Sequence, residues 1–285
     1  MCLIVFAWRS HPQHKLLVAA NRDEFYARPT APVHFWNDAP LILAGRDLQQ
    51  GGTWLGITTS GRFAALTNVR NVQAPVGKLS RGLLVSDFLN SDATAERFSQ
   101  QLQSTLSNYS PFNLLLCDGE YLYYNNNTGD SFELPPGVYG LSNAALDTPW
   151  PKVAAGKQAL LHLTTTYLNL DTTEEKAEQL FLLLADARQA DEAELPDTGV
   201  GIALEKQLSS RFIHFDTYGT RCSTVVMQSY SGETVFLERQ FDDTGQATDT
   251  THYALPVKTI CNDEPKIESS GAPYDFGGKA LESED

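Results

Sequence analysis

Four pairs of short apolar segments, each pair joined by a brief polar turn, constrain the fold of this 285-residue chain more than any other feature. The pairs span residues 3–8 and 15–20, 53–59 and 62–68, 113–117 and 121–125, and 222–228 and 234–238. Turn sequences such as Asp118-Gly119 and Ser231-Gly232 favour tight hairpins. Hairpins build antiparallel sheet, so the pattern excludes a doubly wound parallel fold.

Helical patterns lie between these hairpins. They are predicted over residues 80–89, 94–106, 153–163, 173–188 and 204–210, and Thr172 with Glu175 has the spacing of a capping box. The two kinds of segment alternate without a linker rich in proline and glycine. We therefore expect one α+β domain over residues 1–261, with helices covering the sheets. The acidic segment 262–285 is predicted to be a disordered tail.

The acidic composition excludes several classes of partner. The chain has 21 basic and 35 acidic side chains, a formal charge of −14. Such a balance opposes binding to nucleic acid phosphates or to an anionic membrane surface. The apolar start is too short for a signal peptide or a membrane span, and the four cysteines form no C-x-x-C pair. We expect a cytoplasmic protein with no stable membrane insertion, no nucleic acid partner, no disulfides and no metal site.

Cys2 is the residue most suggestive of chemistry. If Met1 is removed, Cys2 carries both a thiol and a free α-amine, whose ordinary pKa of about 7.7–8.0 suits a proton acceptor near neutral pH. A nucleophile activated by an adjacent base is an established solution in enzymes. The alternatives are a small buried side chain in an apolar strand and a site of S-acylation.

A polar tetrapeptide, Asn21-Arg22-Asp23-Glu24, directly follows the second apolar segment. If the first hairpin closes, these residues lie beside Cys2. Arg22 could then lower the pKa of the thiol or hold a substrate carboxylate, and Asp23 could orient the amine. The alternative is a surface turn with a local ion pair.

Three further polar residues stand at predicted strand ends. Asn68 and Asn143 each close a short strand, where a side-chain amide can donate to an oxyanion or simply form a turn. Arg221 enters a late strand after the glycine turn at Gly219.

Together these segments resemble the NRDE-motif family, also called the transport and Golgi organisation 2 family, from Met1 to about residue 260. The resemblance rests on Cys2, the tetrapeptide 21–24 with Phe25-Tyr26 and Arg28-Pro29-Thr30, the segment 51–56 (GGTWLG), and Tyr218-Gly-Thr-Arg221. It implies an N-terminal-nucleophile (Ntn) hydrolase-like fold, a four-layer αββα sandwich of two antiparallel sheets.

The chain is more distantly similar to the cysteine Ntn amidases, the group of penicillin V acylase and bile-salt hydrolase. That similarity implies catalytic roles for Cys2, Arg22, Asp23, Asn68, Asn143 and Arg221. We predict in addition that Asn21, Glu24, Arg28 and Trp54 bind the substrate. Those amidases place the arginine and aspartate three residues apart, whereas here the two adjoin. Asp23 and Glu24 therefore both stay candidates to face the amine.

Two functions follow from the resemblance. The first is an N-terminal-cysteine hydrolase or acyltransferase acting on an amide or thioester of a small acyl substrate, with no required cofactor. The alternative is a non-catalytic protein that binds and carries haem, a lipid or acyl-CoA in the same pocket. His11, His14 and His34 are the candidate haem contacts, and without a C-x-x-C-H motif such binding would be non-covalent. Loops 28–44 and 69–78 are expected to form the pocket walls.

Overall fold

The computed structural model describes residues 2–166 and 170–256, which form two seven-stranded antiparallel sheets. The first sheet contains β1 (Cys2–Trp8), β2 (His14–Phe25), β10 (Gly137–Leu141), β11 (His214–Phe215), β12 (Tyr218–Ser229), β13 (Thr234–Phe241) and β14 (Ala247–Leu255). Its order is β10-β1-β2-β12-β13-β14, with β11 beside β12.

The second sheet follows the chain order from edge to edge. It contains β3 (Thr30–Phe35), β4 (Ile42–Asp47), β5 (Leu55–Thr58), β6 (Phe63–Asn68), β7 (Phe112–Cys117), β8 (Leu122–Asn126) and β9 (Ser131–Glu133). The helices are α1 (Arg81–Leu89), α2 (Ala95–Leu102), α3 (Pro151–Thr166), α4 (Thr173–Leu184) and α5 (Ile202–Gln207).

Three buried apolar layers hold the elements together. The middle layer lies between the sheets and includes Ile4, Phe6 and Leu115. A second layer lies between the first sheet and helices α3 and α4, and a third between the second sheet and helices α1 and α2. This arrangement is the predicted αββα sandwich, and the fold class is confirmed.

Alternation along β1 explains why one short strand contributes to two layers. Successive side chains of a strand point to opposite faces, so Ile4 and Phe6 enter the middle layer while Leu3 and Val5 pack under the helices. All seven residues of β1 are buried, which accounts for its continuous apolar sequence. By the same alternation Cys2 lies on the middle-layer face, between the sheets.

The structure corrects several predicted boundaries. Strand β2 continues to Phe25, so the tetrapeptide 21–24 lies within a strand and not after it. The predicted loop 28–44 contains β3 and the start of β4; its Pro32 is tolerated because β3 is an edge strand. Helix α4 ends at Leu184 and α2 at Leu102, each about one turn early.

Other predictions agree or fall outside the described residues. All four hairpins are present, and Thr172 and Glu175 form the predicted capping box. Residues 262–285, the predicted tail, lie outside the described part of the chain. Within the described residues, no helix is both long and apolar enough to cross a membrane.

Candidate active site

Cys2 lies opposite Arg22 at the end of the first hairpin. The register pairs Cys2 on β1 with Arg22 on β2, and Arg22 in turn with Cys222 on β12. Directly opposed side chains share a face of the sheet, so all three point between the sheets. There they reach the wall of a cavity of about 350 Å³. The apolar middle layer ends at this cavity.

Both sheets and one helix contribute to the cavity. In the second sheet, Asn68 at the end of β6 and Trp54 just before β5 line it, and the start of α1 contributes Arg81. Its lining includes six cationic side chains against four acidic ones: Arg22, Arg28, Arg46, Lys78, Arg81 and Arg221, and Asp23, Glu24, Asp47 and Glu238. The cavity lining thus has more cationic than acidic side chains, although the formal charge of the whole chain is −14.

The Cys2 thiol is buried, with 8% of the residue exposed. Burial raises the pKa of this thiol, and the nearby Asp23 charge raises it further. Arg22 and a hydrogen bond with the Asp23 backbone act in the opposite direction and favour the thiolate. The thiol therefore stays protonated at neutral pH unless a base accepts its proton.

Asp23 is held rigidly by the neighbouring strand β12. Its Oδ1 accepts a hydrogen bond from Thr220 Oγ1 at 2.8 Å, and its carbonyl oxygen accepts one from the Tyr218 hydroxyl at 2.8 Å. Only 1% of Asp23 is exposed. Burial raises the pKa of its carboxyl group, while Lys152 on α3 has the largest opposing effect.

The two candidate oxyanion donors lie close together but differ in orientation. Asn68 lines the cavity. Asn143 is buried, and its Nδ2 donates to the Asn68 carbonyl oxygen at 2.8 Å. The adjacent Ser142 Oγ donates to the Cys2 carbonyl oxygen at 2.9 Å. Asn143 and Ser142 therefore position the strand ends that carry Asn68 and Cys2.

Arg221 ties the turn after β2 to the cavity wall. It stands at a register shift between Thr220 and Cys222. Its Nη1 donates to the carbonyl oxygens of Phe25, Tyr26 and Arg28 at 3.0, 3.1 and 3.2 Å. These contacts hold the backbone that follows the tetrapeptide. They therefore determine the position of Arg28, which lines the cavity.

Three of the four predicted substrate-binding residues line the cavity, and the fourth does not. Glu24, Arg28 and Trp54 line the cavity, and Arg28 Nη2 donates to Asp47 Oδ2 at 2.6 Å. Asn21 points to the helix side, where its Nδ2 donates to the carbonyl oxygens of Leu184 and Arg211. Asn21 therefore supports the layer behind the site and is not among the residues that line the cavity.

Sequence reasoning missed three residues near the nucleophile. Arg81, in the first turn of α1, lines the cavity, and its Nη1 donates to the Pro111 carbonyl oxygen at 2.9 Å. Glu238, buried on β13, accepts a hydrogen bond from the Val33 backbone at 2.7 Å. Burial raises the pKa of Glu238. The third residue is Lys152. No local motif marks these residues, because only the sandwich topology brings them to Cys2.

Glycine at position 52 permits close packing beneath the cavity. A Cβ there would lie 2.4 Å from the carbonyl carbon of Gly82 in the first turn of α1. The adjacent Thr53 backbone N–H donates to the Gly82 carbonyl oxygen at 3.2 Å. The segment 51–54 therefore determines how closely α1, with Arg81, approaches the second sheet.

The three candidate haem-contacting histidines lie away from the cavity lining. His11 and His14 stack at a ring separation of 5.0 Å beside the β1–β2 turn, about 20 Å from Cys2 along the seven-residue β1 strand. His34 is on β3, and its Nδ1 lies 2.8 Å from the Pro32 carbonyl oxygen. In residues 2–166 and 170–256, no cluster of three or more His, Cys, Asp or Glu side chains could hold a metal ion.

His14 makes the fold sensitive to acid. Burial, with smaller effects of the His11 and Lys176 charges, lowers the pKa of His14 from 6.5 to about 4. The unfolded chain thus binds more protons at this position, so stability falls as the pH drops from about 6.5 to 4. We expect the urea midpoint to fall less between pH 7 and pH 5 in His14→Asn than in the wild type. His252→Asn, at an exposed position, should behave like the wild type; an equal loss in all three proteins would contradict this prediction.

Comparison with known proteins agrees with the motifs. Residues 1–243 match the family model described as Transport and Golgi organisation 2. The Transport and Golgi organization protein 2 homolog of Bos taurus is 36% identical over 279 residues, which cover 90% of this chain and 99% of the bovine protein. Transport and Golgi organization protein 2 of Drosophila melanogaster is 28% identical over 264 residues, covering 84% of this chain and 91% of its own length.

Two solved structures are similar at low sequence identity. The Caenorhabditis elegans N-acylethanolamine-hydrolyzing acid amidase ortholog matches with a TM-score of 0.44 and 11% identity, over 79% of this chain and 92% of that one. A mutant conjugated bile acid hydrolase from Clostridium perfringens matches with a TM-score of 0.45 and 10% identity, over 89% and 96%.

Proposed function

This chain belongs to the Transport and Golgi organisation 2 family, and from that premise we propose that its cavity is the active site of an N-terminal-cysteine hydrolase or acyltransferase. The substrate is an amide or thioester of a small acyl group. The observation that carries the proposal is the position of Cys2, which opens onto the cavity directly opposite Arg22. Cys222 shares this wall and the same cationic neighbour, but within the chain it carries no α-amine that could accept a proton.

The first chemical step requires a free amine on Cys2. Removal of Met1 supplies it, and this α-amine then accepts the thiol proton directly or through a water molecule. Arg22 favours the resulting thiolate, as does the hydrogen bond with the Asp23 backbone. The thiolate attacks the substrate carbonyl, and the new S–C bond gives a tetrahedral oxyanion.

The cavity supplies groups for the later steps. Asn68 lines it and is the candidate donor to the oxyanion, where one such donor is worth about 2.7–4 kcal/mol. The α-ammonium group returns its proton to the leaving amine or thiol as the C–N or C–S bond breaks. Water, or a second acceptor in acyl transfer, then releases the acyl group from Cys2. No required cofactor enters this sequence.

The excess of cationic over acidic side chains in the cavity lining also suits a protein that binds an anionic ligand without turnover. In that alternative, haem, a lipid or acyl-CoA occupies the same cavity and is carried unchanged. His11 and His14 lie at the far end of β1, so they would not contact haem bound there. The cavity lining offers haem six cationic side chains for its carboxylates, and Cys2 and Cys222 as candidate iron contacts.

A paired assay separates the two functions. Purified protein is incubated with fluorogenic amides and thioesters of short acyl groups, and separately titrated with haem at the Soret band. Hydrolysis that requires Cys2 supports the proposal. Saturable haem binding that survives in Cys2→Ala, without cleavage of any acyl substrate, would replace it with the carrier function. His34→Ala serves as the control for a histidine contact outside the cavity lining.

A further inference from the structure

Arg70 lies just beyond strand β6 and connects two strand ends of the candidate site. The last residue of β6 is Asn68, which lines the cavity. The Arg70 backbone N–H donates to the Asn143 carbonyl oxygen at 2.7 Å, and the Asn143 side chain donates back to the Asn68 carbonyl oxygen. Ser142, next to Asn143, donates to the Cys2 carbonyl oxygen. A displacement of the Arg70 backbone would therefore reach both Asn68 and the segment that holds Cys2.

The Arg70 side chain is held in a buried ion pair. Its Nη1 donates to Glu205 Oε2 on α5, and only 7% of the arginine side chain and 2% of the glutamate side chain are exposed. The guanidinium carbon of Arg70 lies 4.7 Å from the centre of the Trp150 ring. The Thr198 backbone N–H and hydroxyl both donate to Glu205 Oε1, at 2.9 and 2.5 Å. Both carboxylate oxygens of Glu205 are thus bonded, and the pair joins the end of β6 to α5.

Stability alone does not explain a buried ion pair at this position. Taking two charges out of water costs free energy that their attraction often only balances, and a well-packed apolar pair of similar volume is frequently as stable or more stable. An ion pair differs from an apolar contact in that its hydrogen bonds are directional. Because Thr198 also fixes Glu205, the carboxylate is a defined anchor for the guanidinium group. The pair therefore specifies where the chain runs at Arg70.

We propose that Arg70 and Glu205 are positioning residues that set the places of Asn68 and Asn143 at the cavity. The ion pair fixes the backbone of Arg70, and that backbone donates the hydrogen bond that holds Asn143. The catalytic consequence rests on the proposed function, in which Asn68 stabilises the oxyanion. The positioning itself is a property of the resting protein, so it can be measured without a substrate.

Amide hydrogen exchange tests the positioning in the resting, full-length protein. Exchange is followed by NMR in ¹⁵N-labelled wild type and in Glu205→Gln, which keeps an acceptor for Thr198 but loses the charge. Weakening a charge-assisted bond should release the Arg70 backbone locally, so its N–H should exchange about tenfold faster or more. The Leu66 N–H, which donates to the Trp54 carbonyl oxygen on the same strand β6, should keep its wild-type rate. An unchanged rate at Arg70, or equal acceleration at both amides, would overturn the proposal.

A double variant separates positioning from stability. Arg70→Met alone leaves the Glu205 carboxylate buried and unpaired, so its urea midpoint should fall furthest. Combining Arg70→Met with Glu205→Gln removes both charges, and the midpoint should recover towards the wild type. With an acyl thioester, kcat of the double variant should nevertheless stay at least about tenfold below the wild type, with KM little changed.

Recovery of kcat together with stability would overturn the proposal, because the pair would then serve stability alone. If the double variant fails to fold, Glu205→Gln supplies the same comparison of kcat with KM. The predicted change in amide exchange, in a protein that cleaves no acyl substrate even as wild type, would support the positioning while rejecting the proposed function.

Discussion

Replacing Cys2 with alanine is expected to abolish turnover while leaving the fold intact. Removing the nucleophile of a covalent mechanism costs far more than removing a binding contact, and the fall in kcat should exceed ~10⁴-fold. Cys2 is the first described residue of β1, and its thiol lies at the cavity rather than inside the apolar middle layer. We therefore expect less than about 1 kcal/mol change in the free energy of unfolding.

Cys117 provides the matched control for this variant. It is a free, fully buried thiol within the middle layer, and burial raises its pKa to about 12. Cys117→Ala should lower stability through the small cavity it leaves, with turnover unchanged. Equal loss of turnover in both variants would indicate a general packing defect. Full turnover in Cys2→Ala would contradict the mechanism.

Gly52→Ala is expected to destabilise the protein strongly. The new Cβ would lie 2.4 Å from the Gly82 carbonyl carbon and 2.7 Å from the Leu83 backbone nitrogen, and neither backbone atom can rotate away. Helix α1 would have to shift, which we expect to cost about 3 kcal/mol. Because that shift also moves Arg81, kcat/KM should fall in the fraction that still folds. Urea denaturation and initial rates measure both effects.

Gly51→Ala separates packing from backbone conformation. Gly51 has φ of +81°, and a Cβ there meets no atom within 4 Å. Its cost should be the left-handed backbone strain alone, about 1–2 kcal/mol. If Gly52→Ala proved as stable as Gly51→Ala, or more stable, this account would be contradicted. The contact between Gly52 and Gly82 would then not determine how closely α1 approaches the second sheet.

Much of the fold could be predicted from the sequence because local patterns specify it. The hairpin around Asp118-Gly119 and the capping box at Thr172 depend on neighbouring residues, and both are present. Strand β14 was missed because its threonines, aspartate and histidine are mostly exposed on an edge strand, where no apolar pattern is required. Strand β3 was missed because it contains Pro32, which is typical of loops. Strand β4 was missed because it is short.

The site was predictable only where a motif or the hairpin register determines it. Cys2 and Arg22 could be paired because the β1–β2 hairpin sets their register. The family resemblance is confirmed, whereas the catalytic roles assigned through it stay predictions. Arg81 and Lys152 belong to elements that begin about 80 and 150 residues after Cys2, yet the charge of the Cys2 thiolate affects the pKa of both. No local periodicity encodes such a contact, since it depends on how helices pack on the finished sheets.

The state of the amino terminus tests the central claim most directly. Purified full-length protein is incubated with an acyl thioester, quenched in acid and measured by intact-mass and peptide mass spectrometry. The mechanism predicts that Met1 is absent, that the acyl group is found on Cys2, and that this adduct disappears as free acid is released. A protein that retains Met1 and still turns over the thioester would contradict it, because Cys2 would then have no free amine to serve as the base.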